Sequence, residues 1–156
     1  LGTRVFGSTI DLESETHLEL SGTGIGLERA GFPAGAKRYR ATNLTSKDFL
    51  ICERTQTAEQ AEAACQDAGG HLASMTYIEE NSWIAKTVQS RDLTDAWLGH
   101  RQVDGQWLRL DRRNLHFLNF DPEGGPVTED CVSIGERNSY WADSDCSDEK
   151  PYICSL

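Results

Sequence analysis

No Cys-x-x-Cys pair occurs among the cysteines at 52, 65, 131, 146 and 154, and no histidine stands at zinc-finger spacing from a cysteine pair. This argues against a structural zinc site and a thioredoxin-type redox centre. Lysine is scarce, and the formal net charge is −10. Nucleic-acid binding draws on clustered Lys and Arg to release counterions, so the charge argues for no nucleic-acid partner. No apolar run approaches the roughly 18 residues of a membrane span, which predicts no membrane insertion. No leader opens the chain, and Leu1-Gly2-Thr3-Arg4 reads as the start of a trimmed mature form. The stretch Gly22-Thr23-Gly24-Ile25-Gly26 lacks the Lys-Ser/Thr of a phosphate loop and reads as turn glycines. His17, His71, His100 and His116 are scattered without a cue for a catalytic triad, so no enzyme activity is expected.

What is present is a chain of 156 residues with 38% hydrophobic content, long enough for one domain with a real core. Five cysteines without metal spacing fit an oxidised extracellular framework of two bridges with one thiol left over. The acids are unevenly placed. Between Asp121 and Glu149 nine carboxylates face a single base, Arg137. Such a cluster is either a solvated acidic face or a cation site. Residues 129–146, EDCVSIGERNSYWADSDC, hold five of these acids together with two cysteines.

Along the chain, TRVFGSTIDL and THLELSG alternate in part and predict strands in a β-rich N-terminal extension, residues 1–45. Val5, Phe6, Ile10, Leu18 and Leu20 are its candidate packing residues. FLICERT, 49–55, predicts a further strand. Thr57-Ala58-Glu59-Gln60 has the pattern of a capping box, Ala58, Ala61, Cys65 and Ala68 follow at helical spacing, and Gly69-Gly70 ends the helix. Thr76-Tyr77-Ile78-Glu79 predicts a second box, with Tyr77, Asn81, Ile84 and Val88 on one helix face and Trp83 beside it. AWLGHR and GQWLRL read as strands about Asp104-Gly105, and LHFLNF also alternates. Pro122, Gly124, Gly125 and Pro126 mark a long irregular loop. CVSIGE, SYWADS and PYICSL read as closing strands, giving an α+β arrangement. Asn43-Leu44-Thr45 has the N-glycosylation pattern.

The segments AEQAEAACQDAGGHLASM, EENSWI, AWLGHR, GQWLRLDRRNLHFLNF, EDCVSI, YWADSDC and PYICSL stand in the order and spacing of a C-type lectin-like domain, which residues 46–156 resemble. The resemblance implies two helices, two small antiparallel sheets and a long loop region. It also implies bridges Cys65–Cys154 and Cys131–Cys146, leaving Cys52 unpaired as a buried thiol. Trp97, Trp107 and Trp141 fall at family core positions.

Sugar-binding members hold a Ca²⁺ in the long loop through an acid-Pro-Asn or Gln-Pro-Asp tripeptide, the Glu of EDC, and the Asn and Asp of WND. Ca²⁺ takes six to eight oxygens, and a sugar diol supplies the last two. Here Glu129 and Asp130 match EDC and Asp143 matches the Asp of WND, but Ala142 replaces its Asn. Asp121-Pro122-Glu123 is the nearest substitute for the tripeptide, and Ser155 replaces the Glu that often follows the last Cys. A candidate Ca²⁺ site therefore comprises Asp121, Glu123, Glu129, Asp130, Asp143 and Asp145, with weak affinity of about 10⁻⁴–10⁻³ M. The expected function is an extracellular, secreted or cell-surface module that recognises a glycan or protein ligand through its long-loop face. The alternative is a structural or protein-interaction domain of a larger surface protein, without sugar or calcium.

Overall fold

The computed structural model describes residues 31–40, 47–93, 95–135 and 139–156. Strands β1 (Lys37–Arg40) and β2 (Asp48–Gln56) lead into helix α1 (Ala58–Asp67), the short strand β3 (His71–Leu72) and helix α2 (Ile78–Ser90). Strands β4 (Ala96–Val103), β5 (Gln106–Arg109), β6 (Cys131–Ile134), β7 (Trp141–Ser144) and β8 (Lys150–Ser155) follow. One antiparallel group is β1-β2-β8 with β3 on β8, and the other is β4-β6-β7 with β5 on β4. A single parallel contact, Trp97 with Tyr152, joins them into one mixed sheet.

Local sequence explains most of these elements. Thr57 Oγ1 accepts from the Gln60 N–H, and Gln60 Oε1 accepts from the Thr57 N–H, both at 3.2 Å, which closes the α1 capping box. The helix ends where Gly69 adopts φ +101° and the Gly70 N–H reaches the Cys65 carbonyl at 2.9 Å. The β4–β5 hairpin turns at Asp104 (φ 52°) and Gly105 (φ 80°), the two left-handed residues that a tight hairpin needs.

Helix α2 begins one residue later than the sequence pattern suggests. Glu80, not Glu79, folds back, and its Oε1 accepts from the Thr76 and Tyr77 N–H groups at 2.7 and 3.2 Å. The Thr76 hydroxyl does not cap the helix; it accepts from Arg109 Nη1 at 3.0 Å. A tertiary donor has taken the oxygen that the local pattern offers to the helix. The alternation in LHFLNF makes no strand either, only the isolated bridge from Phe120 to Trp141.

The central strands are buried on both faces, and alternate residues serve different cores. From β2, Phe49 and Ile51 join Trp83, Ile84 and Val88 of α2. Leu50 and Cys52 join Ala58, Ala61 and Cys65 of α1. Trp83 is fully buried, with Phe49 5.0 Å and Tyr39 6.1 Å from it between ring centroids. Tyr39 belongs to β1, within the 1–45 segment, so this strand packs on the core. The other strands expected there, with Val5, Phe6, Ile10, Leu18 and Leu20, lie outside the described residues, as do Gly22–Gly26 and Asn43–Thr45.

Cys65 is bridged to Cys154, fastening α1 to β8, and Cys131 to Cys146, fastening β6 to the turn beyond β7. Cys52 is free and buried opposite Tyr152. Burial pushes its thiol up to about 12, outweighing a hydrogen bond with Tyr152. The thiolate is the reactive form, so Cys52 should resist alkylation by iodoacetamide at pH 8 while the protein is folded. One equivalent should react after unfolding in guanidinium, with both bridges intact; mass spectrometry of native and unfolded samples checks this. Rapid native labelling would show that β2 and β8 separate readily.

Candidate functional site

The long loop leaves the fold at Phe120 and returns at Cys131. Near its start Asp121 Oδ1 accepts the Glu123 N–H at 2.9 Å, and the Gly124 N–H reaches the Asp121 carbonyl at 3.0 Å. At its return Asp143 Oδ2 accepts the N–H groups of both Thr128 and Glu129 at 2.8 Å. Two aspartates thus shape the loop by holding its backbone donors.

A recess of about 200 Å³ lies between this loop and strands β6 and β7. Phe120, Val127, Ile134, Tyr140 and Trp141 give it apolar and aromatic walls, and Asp95, Asp121 and Asp143 give it acidic ones. Trp141 is fixed from behind: its Nε1–H donates to Asn81 Oδ1 at 2.6 Å, and the His100 ring lies 4.5 Å away. Asp95 accepts from Lys150 Nζ at 2.6 Å. The recess therefore pairs a rigid indole with carboxylates that already have partners. Its volume falls below the roughly 300–1,000 Å³ of a drug-sized site, which suits a single ring or side chain.

Behind Trp141 the protein buries charge. Arg109, fully buried, donates from Nε and Nη2 to Asp111 at 3.0 and 2.7 Å, a bidentate pair. Burial, with the charge of Arg109 added, pushes His100 down to about 3, so the ring packed on Trp141 is neutral at physiological pH.

The six candidate calcium ligands do not form one centre. Asp121 and Asp143 share the recess. Asp130 lines a separate cleft with Thr57, Glu59 and Arg101. Glu123 and Glu129 are exposed. Asp145, also exposed, accepts the Ser147 N–H and hydroxyl at 2.9 and 2.7 Å, and these bonds hold its carboxyl below the usual range. Among the described residues no three His, Cys, Asp or Glu side chains group as a metal site. Ca²⁺ wants six to eight oxygens. Ala142 offers no side-chain oxygen, and Asp143 Oδ2 is already committed to two backbone donors. This donor set does not fit the sugar-type calcium site.

A family model for the Lectin C-type domain matches residues 54–156. The chain belongs to this family. Human tetranectin is 29% identical over 127 residues, covering 75% of this chain and 63% of tetranectin. The human secretory phospholipase A2 receptor is 34% identical over 101 residues, covering 61% of this chain and 7% of the receptor. The chain thus spans less than two thirds of these relatives. Among solved structures, the cow C-type carbohydrate-recognition domain of CD23 is 23% identical with a TM-score of 0.65, covering 80% of this chain and 94% of that one. A calcium-independent type II antifreeze protein is 25% identical, also at 0.65, covering 83% and 96%. Within this lectin-type domain, Trp97 and Trp141 are buried core residues, Trp107 packs at the core edge, and His116 is exposed. Asp95, which lines the recess, carries no sequence signal, because only the tertiary fold brings it to the long loop; Tyr140 lines it beside Trp141, in the YWADSDC segment.

Proposed function

We propose that this lectin-type domain is a non-catalytic extracellular binding module that takes one ring or side chain of a glycan or protein ligand into the recess beside Trp141. Recognition by the recess needs no bridging Ca²⁺. The observation that carries this reading is the double hydrogen bond from the loop backbone to Asp143 Oδ2, which sets that oxygen to shaping the loop. The two bridges support an oxidising location. Residues 1–45 are read as an extension whose strand β1 adds to the sheet, and residues 46–156 as the lectin-type domain. The candidate acids then keep at most a weak Ca²⁺ site of about 10⁻⁴–10⁻³ M, which recognition does not require.

Two measurements test this. In calorimetry, Ca²⁺ at millimolar concentration should raise Tm no more than Mg²⁺ does, and Glu129→Gln should respond like Asp148→Asn. On a mixed glycan and protein array, binding should persist in chelator and be lost in Ala142→Tyr, which fills the recess from an exposed position. A Ca²⁺-specific stabilisation abolished by Glu129→Gln, together with chelator-sensitive binding, would replace this reading with the metal-dependent one.

The second reading, a protein-interaction domain within a larger surface protein, is favoured by the size of its relatives: the matched region is 7% of the phospholipase A2 receptor and 7% of the human C-type mannose receptor 2. A protein ligand on the array with no glycan bound would support it.

A further inference from the structure

A further cleft, of about 560 Å³, lies beside the β4–β5 hairpin; it shares no lining residue with the recess, and Arg101 lines both it and the cleft of Asp130. Arg101, Arg112 and Arg113 line it, with Leu108 and Leu110 between them. The chain carries a net charge of −10, yet among the described residues none of these three guanidinium groups has a carboxylate partner. Asp111 and Glu62, the acids on this side, are already engaged, while Glu59 and Asp130 lie with Arg101 on the separate cleft described above. Asp111 gives both oxygens to Arg109 and one of them also to the Arg113 N–H. Glu62, at the far wall, accepts from the Leu72 N–H, Gln66 and His71. Arg101 Nε is buried and has no acceptor. Arg112 holds φ +65°, a left-handed backbone unusual for a long side chain. A guanidinium fork suits carboxylate, sulfate or phosphate, so the cleft has donors for an anion.

The apolar component decides what carries that anion. Register pairs Arg101 with Leu108 and Val103 with Gln106, placing these four residues on one face of the hairpin. Leu108 and Val103 are 38% and 46% exposed, so this face offers apolar surface beside Arg101. Among the described residues β5 pairs only with β4, and its other edge has no strand partner there. An open edge accepts an extended chain through main-chain hydrogen bonds, with alternate side chains giving specificity. A sulfated glycan would use the arginines and leave Leu108 and the strand edge unused.

We infer that this cleft binds an extended acidic peptide segment of a partner protein, its carboxylates on Arg101, Arg112 and Arg113 and an apolar side chain against Leu108.

The probe is a fluorescein-labelled decapeptide of glutamates with leucine at two alternate positions, titrated into the whole chain and followed by anisotropy and by backbone amide shifts. Saturable binding is expected, with the largest shifts in β5 and an affinity that falls as salt rises. Arg112→Gln with Arg113→Gln should weaken it at least tenfold. Both residues are exposed, so an unchanged Tm shows that folding is intact. Leu108→Gln, or serine in place of the peptide leucines, should weaken it at least threefold, and Ala142→Tyr should leave it unchanged. The inference is overturned if the peptide does not saturate, if the double arginine variant binds equally well, or if a heparin-derived hexasaccharide binds tighter and is indifferent to Leu108→Gln.

Discussion

Replacing Cys65 and Cys154 together by alanine should lower stability by about 4.5 kcal/mol, against about 3 kcal/mol for Cys131 with Cys146, on the chain-entropy account of cross-links. The difference comes from separation in sequence: the first bridge spans 89 residues and the second 15. A longer closed loop removes more freedom from the unfolded chain. Cys65 and Cys154 are also fully buried, so alanine there adds a packing loss. Urea unfolding of both double variants measures the ranking. The m-value should rise most in the Cys65/Cys154 variant, because its denatured state exposes the most new surface. Equal losses would mean that native packing, rather than loop closure, sets the contribution of each bridge.

The second large effect is expected at Asp111→Asn, with a loss of roughly 3–5 kcal/mol at neutral pH, the usual cost of stranding one charge of a buried pair. Arg109 has no exposed side-chain surface, while Asp111 retains 19%. Without the carboxylate, the guanidinium keeps Thr76 Oγ1 at 3.0 Å and two carbonyls at 3.4 Å, all neutral. Replacing both partners, Arg109→Met with Asp111→Leu, should cost less than Asp111→Asn alone, since no buried charge is then left uncompensated. The pH dependence carries a second signature. Burial raises the Asp111 carboxyl, but the bonds from Arg109 and the Arg113 N–H, with the charge of Arg109, outweigh it and leave the group below its ordinary value of 3.8. A carboxyl depressed in the folded state contributes fully above its unfolded value and loses that contribution as pH falls through the folded one. Asp111→Asn should therefore abolish a stability loss seen in the parent below about pH 4. His100 acts at higher pH. Its folded value of about 3 lies under the ordinary 6.5, so its contribution declines as pH drops from 6.5 toward 3 in both proteins. Urea midpoints between pH 2 and 7 separate the two windows.

The β4–β5 hairpin shows why part of this molecule was legible in sequence and part was not. Asp104-Gly105 announces the turn because left-handed backbone is a local requirement. The α1 cap is equally local, with Thr57 and Gln60 three residues apart. Strand β5 inverts ordinary polarity: Leu108 is exposed, whereas Arg109 is buried and matched by Asp111. An apolar-in rule assigns those two side chains to the wrong faces. The same arginine captures the Thr76 hydroxyl and displaces the start of α2, a contact across 33 positions that no local window contains. At the long loop, the run of acids suggests one ion site. The fold separates it: Asp121 and Asp145 each hold a backbone N–H two residues on, while Asp143 reaches back to the N–H groups of Thr128 and Glu129. The joining of Asp95 to Trp141 depends on the tertiary fold and has no counterpart in the linear pattern.

Strand β8 lies between β2 and β4, although residues 150–155 come last among the described elements. On a ribosome, the two halves of the sheet must wait for this final strand before they can join. Until it emerges, β2 and β4 present open edges, and the Cys65 thiol has Cys52 closer in sequence than its native partner. A Cys52–Cys65 bridge would draw Cys52 from its buried place opposite Tyr152, so correct pairing and the docking of β8 belong together.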